Sequence, residues 1–235
     1  MKVRLKYSKT EEGRFLSHLD LLRTMQRVIR RAGLPLAYSE GFNPHPKISY
    51  GSALAVGVTS DGEYLDFELR EKVALDEIVR KLIQAMPPAL AVLEAKEIVG
   101  RKSKESLMAI INLARYQVEL TLNKELSQQE AQEMVDHFLE KEEILVMREG
   151  KKGIRTTDIR PGIYSLSAET RGNVLILSMD LQTGSGGNVR PEEVVGGLKK
   201  EIIETSGLEP FGNYKIHRQG LFIKDGNRIR TPMDF

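Results

Sequence analysis

The sequence predicts an α+β protein made of two ferredoxin-like (βαββαβ) units in tandem. Three observations predict it. Short runs that alternate apolar and polar residues mark strands, and longer runs with apolar residues every three or four positions mark helices. Both halves set these out in one order, strand-helix-strand-strand-helix-strand. The length, 235 residues, fits one large or two small domains.

In the first half, Val3, Leu5 and Tyr7 alternate with Lys2, Arg4 and Lys6, the period of a strand. Ser17-His18-Leu19-Asp20 then reads as a helix start, with serine as N-cap and an acid three residues later. Leu19, Leu22, Met25, Ile29 and Ala32 form one apolar stripe, and Gly33 and Pro35 stop the helix. Residues 46–60 look extended, and Leu65, Phe67 and Leu69 alternate with Tyr64, Asp66 and Glu68. Between these runs, Ser60-Asp61-Gly62 predicts a hairpin turn. A second amphipathic helix carries Leu75, Ile78, Val79, Leu82, Ile83 and Met86, and Pro87-Pro88 ends it. Residues 90–99 form the last strand of this half.

The second half begins with the alternating Val118, Leu120 and Leu122. Ser127-Gln128-Gln129-Glu130 is a capping box for a helix that turns Ala131, Met134, Val135, Phe138 and Leu139 inward. Residues 144–148, 162–168 and 173–181 look extended. A helix from Pro191 carries Val194, Val195, Leu198, Ile202 and Ile203, and residues 214–223 are the final strand. The expected domains are therefore 1–100 and 115–235, with 101–114 as linker or bridging helix.

Cysteine is absent, which excludes disulfides, thiolate zinc sites, a cysteine nucleophile and any iron–sulfur cluster held by this chain's own thiolates. No apolar run is long enough for a membrane helix and none resembles a signal peptide, so a cytoplasmic location without a membrane partner is expected. The four histidines lack metal-ligand spacing, and neither a metal nor another cofactor is expected. The formal net charge of +2 conceals an asymmetry: residues 1–50 hold ten Lys/Arg against four Asp/Glu, a balance of +6. Residues 51–100 hold five against nine, a balance of −4. Such a bias marks a face for an anionic partner, or simply a solvated surface.

Four segments could carry chemistry. On the first helix, Arg23, Arg27 and Arg30 or Arg31 recur along the face opposite the apolar stripe, where like charges repel until an anion relieves them. The loop from Tyr38 to Lys47 packs two prolines, a glycine and two aromatics into ten residues. Stacking by Tyr38 or Phe42, with Asn43, His45 and Lys47 beside phosphates, suits single-stranded nucleic acid; a rigid turn with its aromatics in the core is the alternative. In the basic segment 151–160, Asp158 could orient Arg155 or Arg160 bidentately, leaving Lys151 and Lys152 for an anion. The glycine-rich stretch 183–190 enters a helix at Pro191, so Arg190 and the helix N-terminus read as an anion site or as a flexible connector.

Several of these residues fit a known pattern. Residues Arg14 to Asp20, Arg31 to Pro35 and Tyr38 to Ser49 resemble the bacterial radical-SAM-linked protein family, a domain of unknown function encoded beside or fused to a radical SAM enzyme. Ser106 to Ala109, Asp158 to Pro161, Arg190 to Glu193 and His217-Arg218 extend the resemblance over nearly the whole chain. The family's genes often neighbour those of a ribonuclease and ribosomal proteins. The resemblance thus implies an accessory role beside a radical SAM enzyme, in RNA- or ribosome-linked modification, and adds Arg14 and Arg218 to the candidate RNA contacts. It implies no catalytic residue.

Three functions follow as expectations. The first is an accessory module that binds RNA or a ribonucleoprotein substrate for a radical SAM partner. The second is a metal-independent RNA-processing enzyme resembling the CRISPR RNA endonucleases, with His18 as acid–base group and Tyr38 or Lys47 assisting. The third is a protein-only adaptor.

Overall fold

A computed structural model of the chain describes residues 1–100, 105–150, 153–206 and 210–234. Its first elements are β1 (Lys2–Lys9), α1 (His18–Arg31), β2 (Ile48–Tyr50), β3 (Val58–Glu68), α2 (Leu75–Ala85), β4 (Leu90–Glu97) and α3 (Leu107–Ile110). There follow β5 (Leu113–Leu122), α4 (Gln128–Glu140), β6 (Leu145–Gly150), β7 (Gly153–Asp158), β8 (Ile163–Arg171) and β9 (Val174–Gln182). The chain closes with α5 (Pro191–Ser206), β10 (Phe211–Asp225) and β11 (Arg228–Arg230). The fold is mixed α+β. No helix among the described residues is long and apolar enough to cross a membrane.

Two compact units share the chain: Met1–Asn112 with Arg218–Phe235, and Leu113–His217. In the first, β1 pairs antiparallel with both β3 and β4, giving the order β4-β1-β3, and the part of β10 from Arg218 onward lies beyond β3. Val3, Leu5 and Tyr7 pack with Met25, Val28 and Ile29 of α1 and with Ile78 and Leu82 of α2 in one core. In the second, β9 pairs antiparallel with β5 and β8, giving β5-β9-β8. The inward residues of α4 are Ala131, Val135 and Phe138, opened by the expected capping box at Ser127 and Glu130.

The C-terminal boundary departs from expectation. Residues 218–235 belong to the first unit, because its polar interior takes its partners from them. The Arg4 guanidinium, buried on the face of β1 expected to be polar, forms a bidentate pair with Asp66 and donates to the Pro232 carbonyl at 2.8 Å. Lys96 donates to the Met233 carbonyl at 2.6 Å. Residues 101–104 of the expected linker or bridging helix, 101–114, lie outside the described residues; beyond them, Ser106 caps the short α3, which belongs to the first unit.

Three local readings also change. Ser60-Asp61-Gly62 is no hairpin turn: it lies within β3, where the register against β1 shifts between Tyr7, opposite Glu63, and Lys9, opposite Ser60. The turn-forming residues make a bulge instead. Glycine is needed there for space, since a Cβ on Gly62 would stand 3.0 Å from the Gly220 Cα. Leu19 is exposed, and the buried stripe of α1 is Leu21, Met25, Val28 and Ile29. The basic segment after residue 150 contains a strand, β7, which pairs with β6 in a separate two-stranded sheet.

Candidate functional site

Ser17 starts α1, its hydroxyl oxygen accepting from the Asp20 N–H at 3.2 Å. The apolar stripe fixes the rotation of the helix, which leaves Arg23, Arg27 and Arg30 on the exposed face. Arg23 has only a long contact to Asp20, 3.9 Å, between two exposed side chains. At that distance and exposure the pair contributes next to nothing, so its charge stays available.

The Tyr38–Lys47 loop is tied at its base. Tyr38 and Pro46 form an isolated antiparallel bridge, the Ser39 N–H donates to the His45 carbonyl at 2.8 Å, and the His45 N–H donates to the Ser39 hydroxyl at 2.9 Å. Lys47 closes the loop by donating its N–H to the Ala37 carbonyl. At the tip Gly41 takes a left-handed φ of 112°, which a side chain would resist. The result is an exposed loop with Phe42 standing wholly in solvent beside exposed Asn43 and His45. Tyr38 is exposed as well. These aromatics are not core, so of the two readings of the loop the rigid turn with buried aromatics fails. Lys47 forms an open ion pair with Glu68 at 3.5 Å. A few residues on, the Tyr50 hydroxyl donates to the Leu22 carbonyl of α1 at 3.3 Å, tying this segment to the arginine-bearing helix.

Between β1 and α1 the chain is held from within. The buried Lys9 ammonium donates to the carbonyls of Leu16 and Ala55, at 3.1 and 3.3 Å, clasping the loops 10–17 and 51–57 together. Burial pushes its pKa below the ordinary lysine value; Glu63 opposes the shift and Arg218 adds to it. Arg14 sits on this clasp, its guanidinium 4.8 Å from the centre of the Phe15 ring and 2.6 Å from Glu11. His18 meets the Tyr50 ring edge-on at 6.4 Å, and its Nδ1 is enclosed without a hydrogen-bond partner. An enclosed Nδ1 is poorly placed for proton exchange with a substrate, so an acid–base role at His18 would fall to Nε2.

Other candidates have structural work instead. Arg218, fully buried, forms a bidentate pair with Glu63 at 2.8 and 3.1 Å, so it is no RNA contact. Asp158 pairs with neither Arg155 nor Arg160: its Oδ1 accepts from the N–H groups of Ile144 and Arg160. The Arg160 guanidinium donates from Nε to the Leu139 carbonyl at 2.9 Å, which anchors it to the end of α4 without neutralising its charge. At the start of α5, the Glu193 carboxylate accepts from the Arg190 N–H and from both arms of Arg148. The chain's own carboxylate thus occupies the expected anion site, and the glycine-rich stretch is a connector folded around Gln182. Arg155 and the Arg190 side chain remain exposed, while Lys151 and Lys152 lie outside the described residues.

Lys9, Glu63 and the Tyr50–His18 contact were missed by sequence reasoning. One signal was present: Lys9 shares the parity of Val3, Leu5 and Tyr7, so the alternation places a cation on the core face.

The fold and this site define a mixed α+β protein whose first unit presents a tied aromatic loop and an arginine-bearing helix, the helix bonded to Tyr50 just after the loop. The chain belongs to the family described as uncharacterized protein conserved in bacteria (DUF2344), whose sequence pattern matches residues 2–191. No curated protein matches it. Among solved structures it is similar to a chain in the crystal structure of a Cbf5-Nop10-Gar1 complex, at 10% identity and a TM-score of 0.46. That similarity covers 92% of this chain and 47% of the other, so the chain spans about half the length of its structural neighbour.

Proposed function

We propose that this protein is an RNA-binding accessory module, with single-stranded RNA held by the Tyr38–Lys47 loop and the exposed face of α1. The exposure of Phe42 on a loop tied at both ends is the observation that carries this reading. A phenyl ring in water forgoes about 1.5–3 kcal/mol of burial, and stacking on a base recovers part of it. Arg23, Arg27 and Arg30 supply the phosphate contacts that such stacking needs. We further propose that both units are ferredoxin-like, supported by their βαββαβ element order and by the antiparallel pairing of β1 with β3 and β4. The β6–β7 hairpin is then an insertion in the second unit. The catalytic partner in this proposal is a radical SAM enzyme. The lack of cysteine supports that division of labour, since these 235 residues offer no thiolate to hold the cluster.

The test is fluorescence anisotropy with a labelled single-stranded oligoribonucleotide. Phe42→Ala is expected to weaken binding about 5- to 150-fold, the worth of one stacked base. Arg23→Ala with Arg27→Ala is expected to flatten the log–log salt dependence by ~0.7 for each phosphate left without its arginine. Wild-type protein that shows no RNA binding at low salt would turn the assignment toward the protein-only adaptor. One observation favours that second reading: Leu145, Met147 and Ile154 are exposed large apolar residues on the β6–β7 hairpin.

A further inference from the structure

The C-terminal ends of α1 and α2 border a cavity of about 520 Å³ in the first unit. Arg31, Arg80 and Lys81 line it together with Gln84, Met86 and Pro87, and no carboxylate belongs to its lining among the described residues. Arg31 is anchored: one Nη2 hydrogen bond, 3.0 Å, runs to the Ala85 carbonyl at the end of α2, leaving its other donors unassigned. Lys81 is neutralised by Glu77, one turn earlier on α2, at 2.7 Å. Arg80 is exposed and has no ion pair among the described residues. Capping the carbonyl end of α2 accounts for Arg31 alone, because helix-end effects fall off within the last turn. Among the described residues, the Arg80 charge is thus left without a carboxylate partner.

A second depression adjoins the first and shares Met86 and Pro87 with it. It measures about 320 Å³, and its lining of Ile83, Pro88, Leu90 and Val92 is apolar. Ile83 is exposed there without an apolar cover. A cationic cavity that opens beside an apolar one matches a ligand with a phosphate at one end and a flat, weakly polar body at the other. The combined size lies within the usual range for small-molecule sites.

We propose that this groove binds a nucleoside 5′-phosphate, with phosphoryl oxygens on Arg31 and Arg80 and the base against Met86 and Pro87. The same chemistry is offered by a free nucleotide and by the 5′-phosphorylated end of an RNA. The second source rests on the RNA-binding reading above, whereas the first does not.

The experiment compares two probes, ATP and a short single-stranded oligoribonucleotide carrying either a 5′-phosphate or a 5′-hydroxyl. Binding is measured by calorimetry on the full chain. The variant is Arg80→Glu, which leaves the Arg31–Ala85 anchor intact, and its thermal unfolding is checked against the wild type. Saturable one-to-one binding of ATP that weakens about 10- to 150-fold in Arg80→Glu supports a free-nucleotide site, that range being the worth of one charge-assisted hydrogen bond. Tighter binding of 5′-phosphate RNA than of 5′-hydroxyl RNA, with the difference erased by Arg80→Glu, supports an RNA-end site. If ATP does not bind saturably and the two RNAs bind alike, the proposal is overturned; equal affinities of wild type and variant overturn it too. Phe42→Ala separates the two readings. It should lower RNA affinity without altering ATP binding, and ATP binding that persists where RNA binding is absent removes the RNA reading alone.

Discussion

At the scale of single residues the most consequential interaction is that of Glu63 with Arg218. Both side chains are buried, the guanidinium bonds both carboxylate oxygens, and the Ser60 hydroxyl donates to Glu63 Oε1 at 2.7 Å. Such a pair adds little over an apolar substitute, yet breaking it strands a charge in the interior. Glu63→Gln is therefore expected to destabilise the protein by about 3–5 kcal/mol, read from urea unfolding. The double variant with Arg218→Met should recover part of that loss. If Glu63→Gln unfolds at the wild-type midpoint, the pair has no structural weight. The same pair marks the limit of sequence reading. The two partners lie 155 positions apart, so an arginine beside His217 looked like a surface cation until its carboxylate was located. Phe42 posed the opposite problem: its neighbours signalled a rigid loop but left open whether the ring is core, and the structure leaves it exposed.

Elements whose ends are fixed locally were legible. The α4 start is the clearest case: the Ser127 hydroxyl takes the Glu130 N–H at 3.2 Å, and the Glu130 carboxylate takes the Ser127 N–H at 2.7 Å. The Ser127 N–H first, and the Ser127 hydroxyl after it, favour the ionised carboxylate and hold the Glu130 pKa below its ordinary value. A depressed carboxylate pKa stabilises the fold above the unfolded-state pKa, and the contribution fades as pH falls through the folded one. Ser127→Ala is expected to cost about 0.5–2 kcal/mol and to return the Glu130 titration, followed by NMR, toward the ordinary glutamate range. The N–H of residue 127 survives the substitution, so the return should be partial, and an unmoved Glu130 titration would show that the Ser127 hydroxyl has no share in holding the acid. Elements fixed by distant partners were misread. Ser60-Asp61-Gly62 carries every local mark of a turn, yet β3 runs straight through it because Gly62 makes room for Gly220. The β7 strand escaped because its residues, Gly153 to Asp158, are polar or exposed and show no buried alternation.

For the whole molecule, the order of elements revealed two halves but not where the chain's end belongs. Nothing in residues 218–235 says that they complete the first unit, since their partners are Arg4, Glu63 and Lys96, all in the first half. That return makes the first unit dependent on a segment more than 100 positions further along the chain. Deleting residues 218–235 removes the partner of buried Glu63, the carbonyl that satisfies Arg4, and the buried side chains of Leu221, Ile223 and Met233. The stranded carboxylate costs about 3–5 kcal/mol, and each missing apolar side chain about 1.5–3 kcal/mol. Together these rival the ~5–15 kcal/mol that holds a typical domain folded. The second unit, Leu113–His217, keeps all of its own residues in such a truncation. Hydrogen exchange followed by mass spectrometry on the chain ending at His217 should therefore show β1, β3 and β4 stripped of protection, with β5, β8 and β9 still protected. Protection retained across β1 and β3 would mean that the first unit folds without its C-terminal strand, and the dependence inferred from Arg4, Glu63 and Lys96 would be wrong.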